Sequence, residues 1–265
     1  MDGYALEISE AEIARYQVMA KRAQASEALL WAEAGIGPGA RVADVGCGPA
    51  AALALMALAV GPAGWVSGVD GDESALSRAR VLLADAGVEN ADVRLGRADA
   101  TGLEADAFDT VVLRHVLAHN GGAEQRIVNH LATLVRPGGF VYLVDVDLSA
   151  MRIYPPSPDF ADLSAKYIDF HAGRGNDPQV GLRLSELASG AGLEVIHFTG
   201  WFDVTVAPVG MRPPAWAARA AMVASGVASD ADVTRWAAAF DAFDRAQERP
   251  LLFPALFAVV ARRPL

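Results

Sequence analysis

Val42-Ala43-Asp44-Val45-Gly46-Cys47-Gly48-Pro49-Ala50 reads as a short β-branched strand that runs into a glycine turn and then into an apolar helix. Glycines at 46 and 48 let the backbone turn tightly and approach a ligand closely, and the helix start behind them offers free N–H groups. Asp70 closes the next apolar strand, 20 residues after Ala50, where a carboxylate can accept both hydroxyls of a ribose. A Gly-x-Gly alone is a weak signal. Joined to that acidic residue, it points to a ligand carrying a nucleoside.

Outward from this stretch, strand patterns recur at residues 65–69, 93–96, 110–113 and 140–145, with helical stretches beginning near Ala50, Ser74, Val116 and Glu124. Short apolar strands alternating with helices predict an α/β fold, a Rossmann-like, doubly wound, mainly parallel sheet covered on both faces. Strands at 194–199 and 255–262 bring the expected count to seven. Before the glycine turn, residues 1–38 read as a helical cap. Ile8, Ile13, Tyr16, Met19 and Ala20 share one side, Ser9 to Glu12 resembles an N-cap with an acidic first turn, and a second helix covers 26–34. After the 39–147 core, residues 148–180 loosen into Pro, Asp and Gly around a helix at 159–171. Helices at 184–191, 214–224 and 230–247 follow, as covering segments of one 265-residue domain.

Composition narrows the function. Hydrophobic residues make up 53% and charged residues 20%, enough for a sizeable core and against disorder. The formal charge of −10, with no basic stripe, argues against nucleic acid as a partner. Cys47 is the one cysteine, which removes internal disulfides and multi-cysteine metal sites. The longest apolar run, 50–60, is far short of the roughly 20 residues a membrane helix needs. Residues 1–12 carry Asp2, Glu7, Glu10 and Glu12 without an early Lys or Arg, so no secretory leader and a cytoplasmic location are expected.

The constellation resembles the class I S-adenosylmethionine-dependent methyltransferases, whose first motif is acidic-x-Gly-x-Gly-x-Gly and whose second strand ends in an acidic residue. Gly96-Arg97-Ala98-Asp99-Ala100 is similar to the third motif, Phe108 to Val112 to the fourth strand, and Arg136-Pro137-Gly138-Gly139 to the turn before the fifth. The resemblance spans about residues 10–147 and is nearest to the quinone-biosynthesis and natural-product branch. It implies S-adenosylmethionine as cofactor, S-adenosylhomocysteine as product, a small-molecule acceptor methylated at O, N or C, no metal, and a monomer or homodimer. It also implies a cofactor-binding set of Tyr16, Arg22, Asp44, Gly46, Cys47, Gly48, Asp70, Gly71, Asp99, Ala100 and Arg114. Ala50 departs from the pattern where a third glycine is usual, and fits only with ordinary helical dihedrals.

Two other readings compete. A nicotinamide-dependent oxidoreductase also wants glycine turns and an acidic second strand, but Asp44 would put negative charge beside its pyrophosphate. A protein of the same fold that binds the cofactor without transferring methyl would carry identical motifs.

For the acceptor, His115 and His119 at i and i+4 after the fourth strand would share one helical face at the carboxyl end of the sheet. His119 aligns with the second His of a Leu-His-His segment in related enzymes and is the first candidate base, His115 the second. A zinc reading lacks the Glu after the first His and a third ligand. Cys47 reads as a small filler, Asp145 and Asp147 as capping or acid/base carboxylates, and Trp236, Phe240 and Phe243 as one apolar stripe. His130 and His197 read as surface and strand residues, and His171, in the loose segment, either reaches the site or stands solvated.

Overall fold

Residues 41–45 pair on both sides within the sheet and are buried from Val42 onward, which explains the apolar Val42, Ala43 and Val45 around Asp44. A computed structural model describes the chain from Glu10 to Leu265, with side chains described from Tyr16. Ile8, Ile13 and the 9–12 cap lie outside those described residues and side chains.

The elements run α1 (Glu10–Ser26), α2 (Ala28–Glu33), β1 (Arg41–Val45), α3 (Ala51–Val60), β2 (Trp65–Asp70), α4 (Glu73–Asp85), β3 (Ala91–Leu95) and β4 (Phe108–Arg114). There follow α5 (Glu124–Leu134), β5 (Val135–Tyr154), α6 (Pro158–Ala172), α7 (Leu184–Gly190), β6 (Glu194–Phe202) and β7 (Thr205–Val206). The chain ends with α8 (Pro214–Ala217), α9 (Arg219–Ala224), α10 (Asp230–Arg245) and β8 (Leu251–Arg262). The sheet order is β3-β2-β1-β4-β5-β8-β6, with β7 paired to β8. The first five strands are parallel, and β8 runs antiparallel to β5, β6 and β7. This is the doubly wound sheet expected from the sequence. Its strand order reverses between β1 and β4, the crevice where open α/β sheets bind ligands.

One core packs α5 and α7 on one face through Ile127, Leu131, Leu184 and Leu187. Another packs α2, α3 and α4 on the other through Trp31, Leu53, Met56 and Leu76. A third lies in the C-terminal cap, where Phe160 and Leu163 of α6 meet Trp236 and Phe240 of α10. The aromatic stripe of α10 is therefore mainly core. Two expectations are corrected. Residues 148–154 are not loose, because β5 continues to Tyr154 along β8, and an eighth strand, β7, joins the sheet. Among the described residues, no helix is long and apolar enough to cross a membrane.

Ala50 also differs from expectation. It enters α3 with φ 64° and ψ 22°, in the left-handed region, and is fully buried. That conformation costs a residue with a Cβ about 1–2 kcal/mol, while glycine adopts it freely and gives back part of the gain as chain entropy. Ala50→Gly is expected to raise the unfolding free energy by about 0.5–1 kcal/mol in urea titrations. A lowered midpoint would show that the alanine methyl contributes more by packing than it costs in strain.

Candidate active site at the carboxyl ends of β1, β2 and β4

The glycine turn is built for close approach. Gly46 has φ +76° and its N–H donates to Val69 O at 2.7 Å; a Cβ there would lie 2.3 Å from Val116 Cγ2. Gly48 has φ +52° with open space where its Cβ would stand. Its N–H donates to Asp70 Oδ2 at 2.8 Å, while Asp72 N–H donates to Asp70 Oδ1 at 2.9 Å. Asp70 is thus fixed by the turn it faces, each oxygen keeping a lone pair for a ligand hydroxyl. Burial raises its pKa above the usual carboxylate range, against the pull of these backbone donors. Gly71, next in line, is exposed. Cys47 is buried in the turn, with a thiol pushed up by burial and by Asp44 and Asp70, which suits a filler and not a nucleophile.

Behind the turn lies a buried charged cluster. Asp44 is 3% exposed, and its Oδ2 has no hydrogen-bond partner among the described residues. Burial lifts its pKa to about 7, the neighbouring Arg114 opposing the shift and Asp70 adding to it. Arg114, at the end of β4, donates from Nη2 to Glu27 Oε1 at 2.6 Å, and its buried Nε–H has no partner among the described residues. Glu27 is fully buried and takes the Tyr142 hydroxyl on Oε2 at 2.8 Å. An orphaned acceptor beside an orphaned donor, both buried, is the polarity that the ammonium and carboxylate of an amino-acid moiety would satisfy. These residues fit a cofactor of that kind.

Other members of the expected set are engaged elsewhere. Asp99 takes Arg97 Nε on Oδ1 at 2.9 Å and Arg126 Nε on Oδ2 at 2.8 Å, and the two arginines hold its carboxyl well below the usual range. Any adenine contact there competes with them. Ala100 is exposed and forms a bridge with Arg97. Arg22 is turned to Asp203, at 2.6 and 3.2 Å, and to Val204 O, tying α1 to the loop between β6 and β7. Tyr16 is half-buried on α1.

The histidines do not share a helical face. His115 has φ 56°, and only residues 117–119 form a helical turn, of the tight 3-10 type, so the i, i+4 argument does not apply. Asp145 holds this turn: fully buried, it accepts Leu117 and Ala118 N–H on Oδ2 at 2.9 and 3.3 Å and Val146 N–H on Oδ1 at 2.9 Å. The carboxylate is a cap for the segment bearing His119. Burial, with His171 nearby, lowers the His119 pKa to about 4, so the ring is neutral at physiological pH. His171, at the end of the helix expected over 159–171, is buried in the last turn of α6 and not solvated, its ring centroid 5.0 Å from that of His119. His130 meets the N–H and hydroxyl of Thr101, and His197 pairs with Glu33.

Sequence reasoning missed Glu27, Tyr142 and Asn176. Glu27 had a signal, because it falls on the helical stripe Ala20, Ala23, Leu30, Trp31 and Ala34, all buried. A carboxylate on an apolar stripe needs a buried cation, and Arg114 is that cation.

The sequence profile of a family described as "Methyltransferase domain" matches residues 36–172, just over half of the chain. A ubiquinone biosynthesis O-methyltransferase from Stutzerimonas stutzeri is 31% identical over 73% of this chain and 87% of its own. An arsenite methyltransferase from Halobacterium salinarum is 34% identical over 48% of this chain and 31% of its own. The chain spans less than half the length of the first curated relatives it matches. Among solved structures, a methyltransferase described as putative from Bacillus halodurans superposes with a TM-score of 0.61 at 18% identity, covering 90% of this chain and 98% of that one.

Proposed function

Since the chain belongs to the class I S-adenosylmethionine-dependent methyltransferase family, we propose that it transfers a methyl group from that cofactor to a small-molecule acceptor. The observation that carries the proposal is the buried Asp44 Oδ2 and the neighbouring Arg114 Nε–H, neither with a partner among the described residues, at the end of a glycine turn that Asp70 braces. Asp44 would hold the cofactor's ammonium, Arg114 its carboxylate, Asp70 its ribose hydroxyls, and Gly46 and Gly48 the close backbone approach. The bound cofactor supplies a methyl group already activated on a sulfonium, with S-adenosylhomocysteine as product.

On the acceptor side, neutral His119 can take the proton of an acceptor hydroxyl as the O–CH3 bond forms. An oxygen acceptor of phenolic type also agrees with the O-methylation named for the Stutzerimonas relative. Alignment of acceptor and methyl can supply roughly 7–11 kcal/mol of barrier reduction by itself. We expect a cytoplasmic enzyme that works as a monomer or homodimer. Release of S-adenosylhomocysteine in the presence of catechol or hydroquinone probes, followed by mass spectrometry, tests the reading. Tight cofactor binding with no methylated product from any acceptor would favour the non-methylating alternative.

Two variants test the roles. Asp70→Ala is expected to weaken S-adenosylmethionine binding about 10- to 150-fold, the scale of hydrogen bonds to a charged group; an unchanged dissociation constant by calorimetry in a folded variant removes the ribose assignment. His119→Ala should lower turnover about 10²- to 10⁴-fold at constant cofactor affinity. Because burial holds that ring near 4, wild-type turnover should lose its acid limb near pH 4, not near 6.5.

A further inference from the structure

The last turn of α6 and the loop after it carry a histidine whose tautomer can be read from its neighbours. Gly121 N–H can only donate, and it donates to Asn176 Oδ1 at 3.0 Å. The amide orientation of Asn176 is thereby fixed, so its Nδ2–H2 is what faces His171 Nδ1 at 3.0 Å. Nδ1 must be the acceptor. In a neutral ring the proton then sits on Nε2. Burial, with the charge of Arg174, lowers the His171 pKa and keeps the ring neutral. The backbones of the two segments touch here: a Cβ on Gly121 would fall 1.8 Å from Gly175 O, so the clamp on Asn176 has little freedom.

The resulting Nε2–H is buried and has no hydrogen-bond partner among the described residues, in a side chain only 5% exposed. Buried donors are rarely left so. The ring stands 5.0 Å from His119 and edge-on to Tyr167 at 4.4 Å. A hydroxyl acceptor needs one group to receive its proton and one to donate to its oxygen, and these two rings supply both.

We propose that His171 is a second acceptor-binding residue, presenting a fixed Nε2–H to the oxygen of a phenolic or enolic acceptor, with Asn176 as the positioning residue that sets this tautomer. The proposal rests on the methyltransferase reading for the identity of the reaction, but the tautomer and the contact can be read without turnover. In the reaction the acceptor hydroxyl proton passes to His119, the oxygen pair forms the O–CH3 bond, and the C–S pair returns to sulfur. His171 keeps its proton throughout.

The test is nitrogen-15 NMR of the full chain with labelled histidine and bound S-adenosylhomocysteine. The expected result is a neutral, Nε2-protonated His171 whose Nε2–H resonance moves on saturation with catechol or hydroquinone. Asn176→Asp should shift the proton to Nδ1 and lower methyl transfer at least tenfold, with cofactor affinity within twofold of wild type. His171→Gln, which keeps a donor near Nε2, should retain transfer within about fivefold of wild type, whereas His171→Phe should lose at least tenfold. An Nδ1-protonated wild-type ring, a resonance unmoved by either phenol because it only faces Tyr167, or equal activity of the Phe and Gln variants overturns the proposal. If the wild type methylates nothing while the resonance still moves, the methyltransferase reading fails and the binding assignment stands.

Discussion

Glu27→Ala is expected to lower the unfolding free energy by about 3–5 kcal/mol, the cost of removing one partner of a buried ion pair. Glu27 sits between α1 and α2 with no exposure, and both its oxygens are used: Arg114 at 2.6 Å on one, the Tyr142 hydroxyl at 2.8 Å on the other. Burial alone would pull the Arg114 pKa down, yet the net shift is upward because Glu27, Tyr142 and Asp44 surround it. Taking Glu27 away strands the guanidinium and the phenol together. It also frees Arg114 to settle on Asp44, which would remove the orphaned acceptor from the cofactor site, so S-adenosylmethionine affinity should fall along with stability. Glu27→Gln retains an acceptor for either Arg114 or Tyr142 and should lose less. Urea unfolding and calorimetry on the same samples check both effects. A midpoint close to wild type for Glu27→Ala would mean that Asp44 fully replaces Glu27 as the counter-charge.

Where residues pair with immediate neighbours or fill a period, the sequence was legible. β1, β2, β4 and the first part of β5 are largely buried and mainly apolar, while the glycine turn and Asp70 announce themselves by spacing. Features set by long-range partners were not. Residues 149–154 lack alternation and are strand only because β8 lies alongside, at Arg152↔Phe253 and Tyr154↔Leu251. His115 and His119 have helical spacing, but a left-handed His115 breaks the helix before it begins. Asp99 looked free for a ligand because Arg126, 27 residues away, could not be foreseen beside it. Asn176 carries no motif, and its role depends on a contact across 55 residues with Gly121.

Asp44→Asn is expected to separate stability from binding, making the unliganded protein more stable and the cofactor complex weaker. The folded-state pKa of Asp44 is about 7, against 3.8 for the ordinary side chain, so between those values the native state holds a proton that the unfolded chain releases. Its contribution therefore falls as pH rises from about 4 to 7 and is lowest above 7. A gap of about three pH units corresponds to about 4 kcal/mol, so the asparagine variant should gain up to about that much at pH 8.5 and little near pH 4. Binding moves the other way. An amide retains an acceptor but not the charge opposite the ammonium, and affinity should drop about 10- to 150-fold, or about 1.5–3 kcal/mol. Protons provide an independent signature. At pH 6 the wild-type carboxyl is mainly protonated, and an arriving cation should expel a proton, whereas the variant has none to release. Calorimetry in phosphate and in Bis-Tris at that pH separates the two, because the buffers differ in ionisation enthalpy. Affinity of the wild type should then rise with pH up to about 7 and stay level beyond it. If the asparagine variant binds S-adenosylmethionine as tightly as wild type, and neither protein releases a proton, Asp44 does not face the ammonium and its burial needs another explanation.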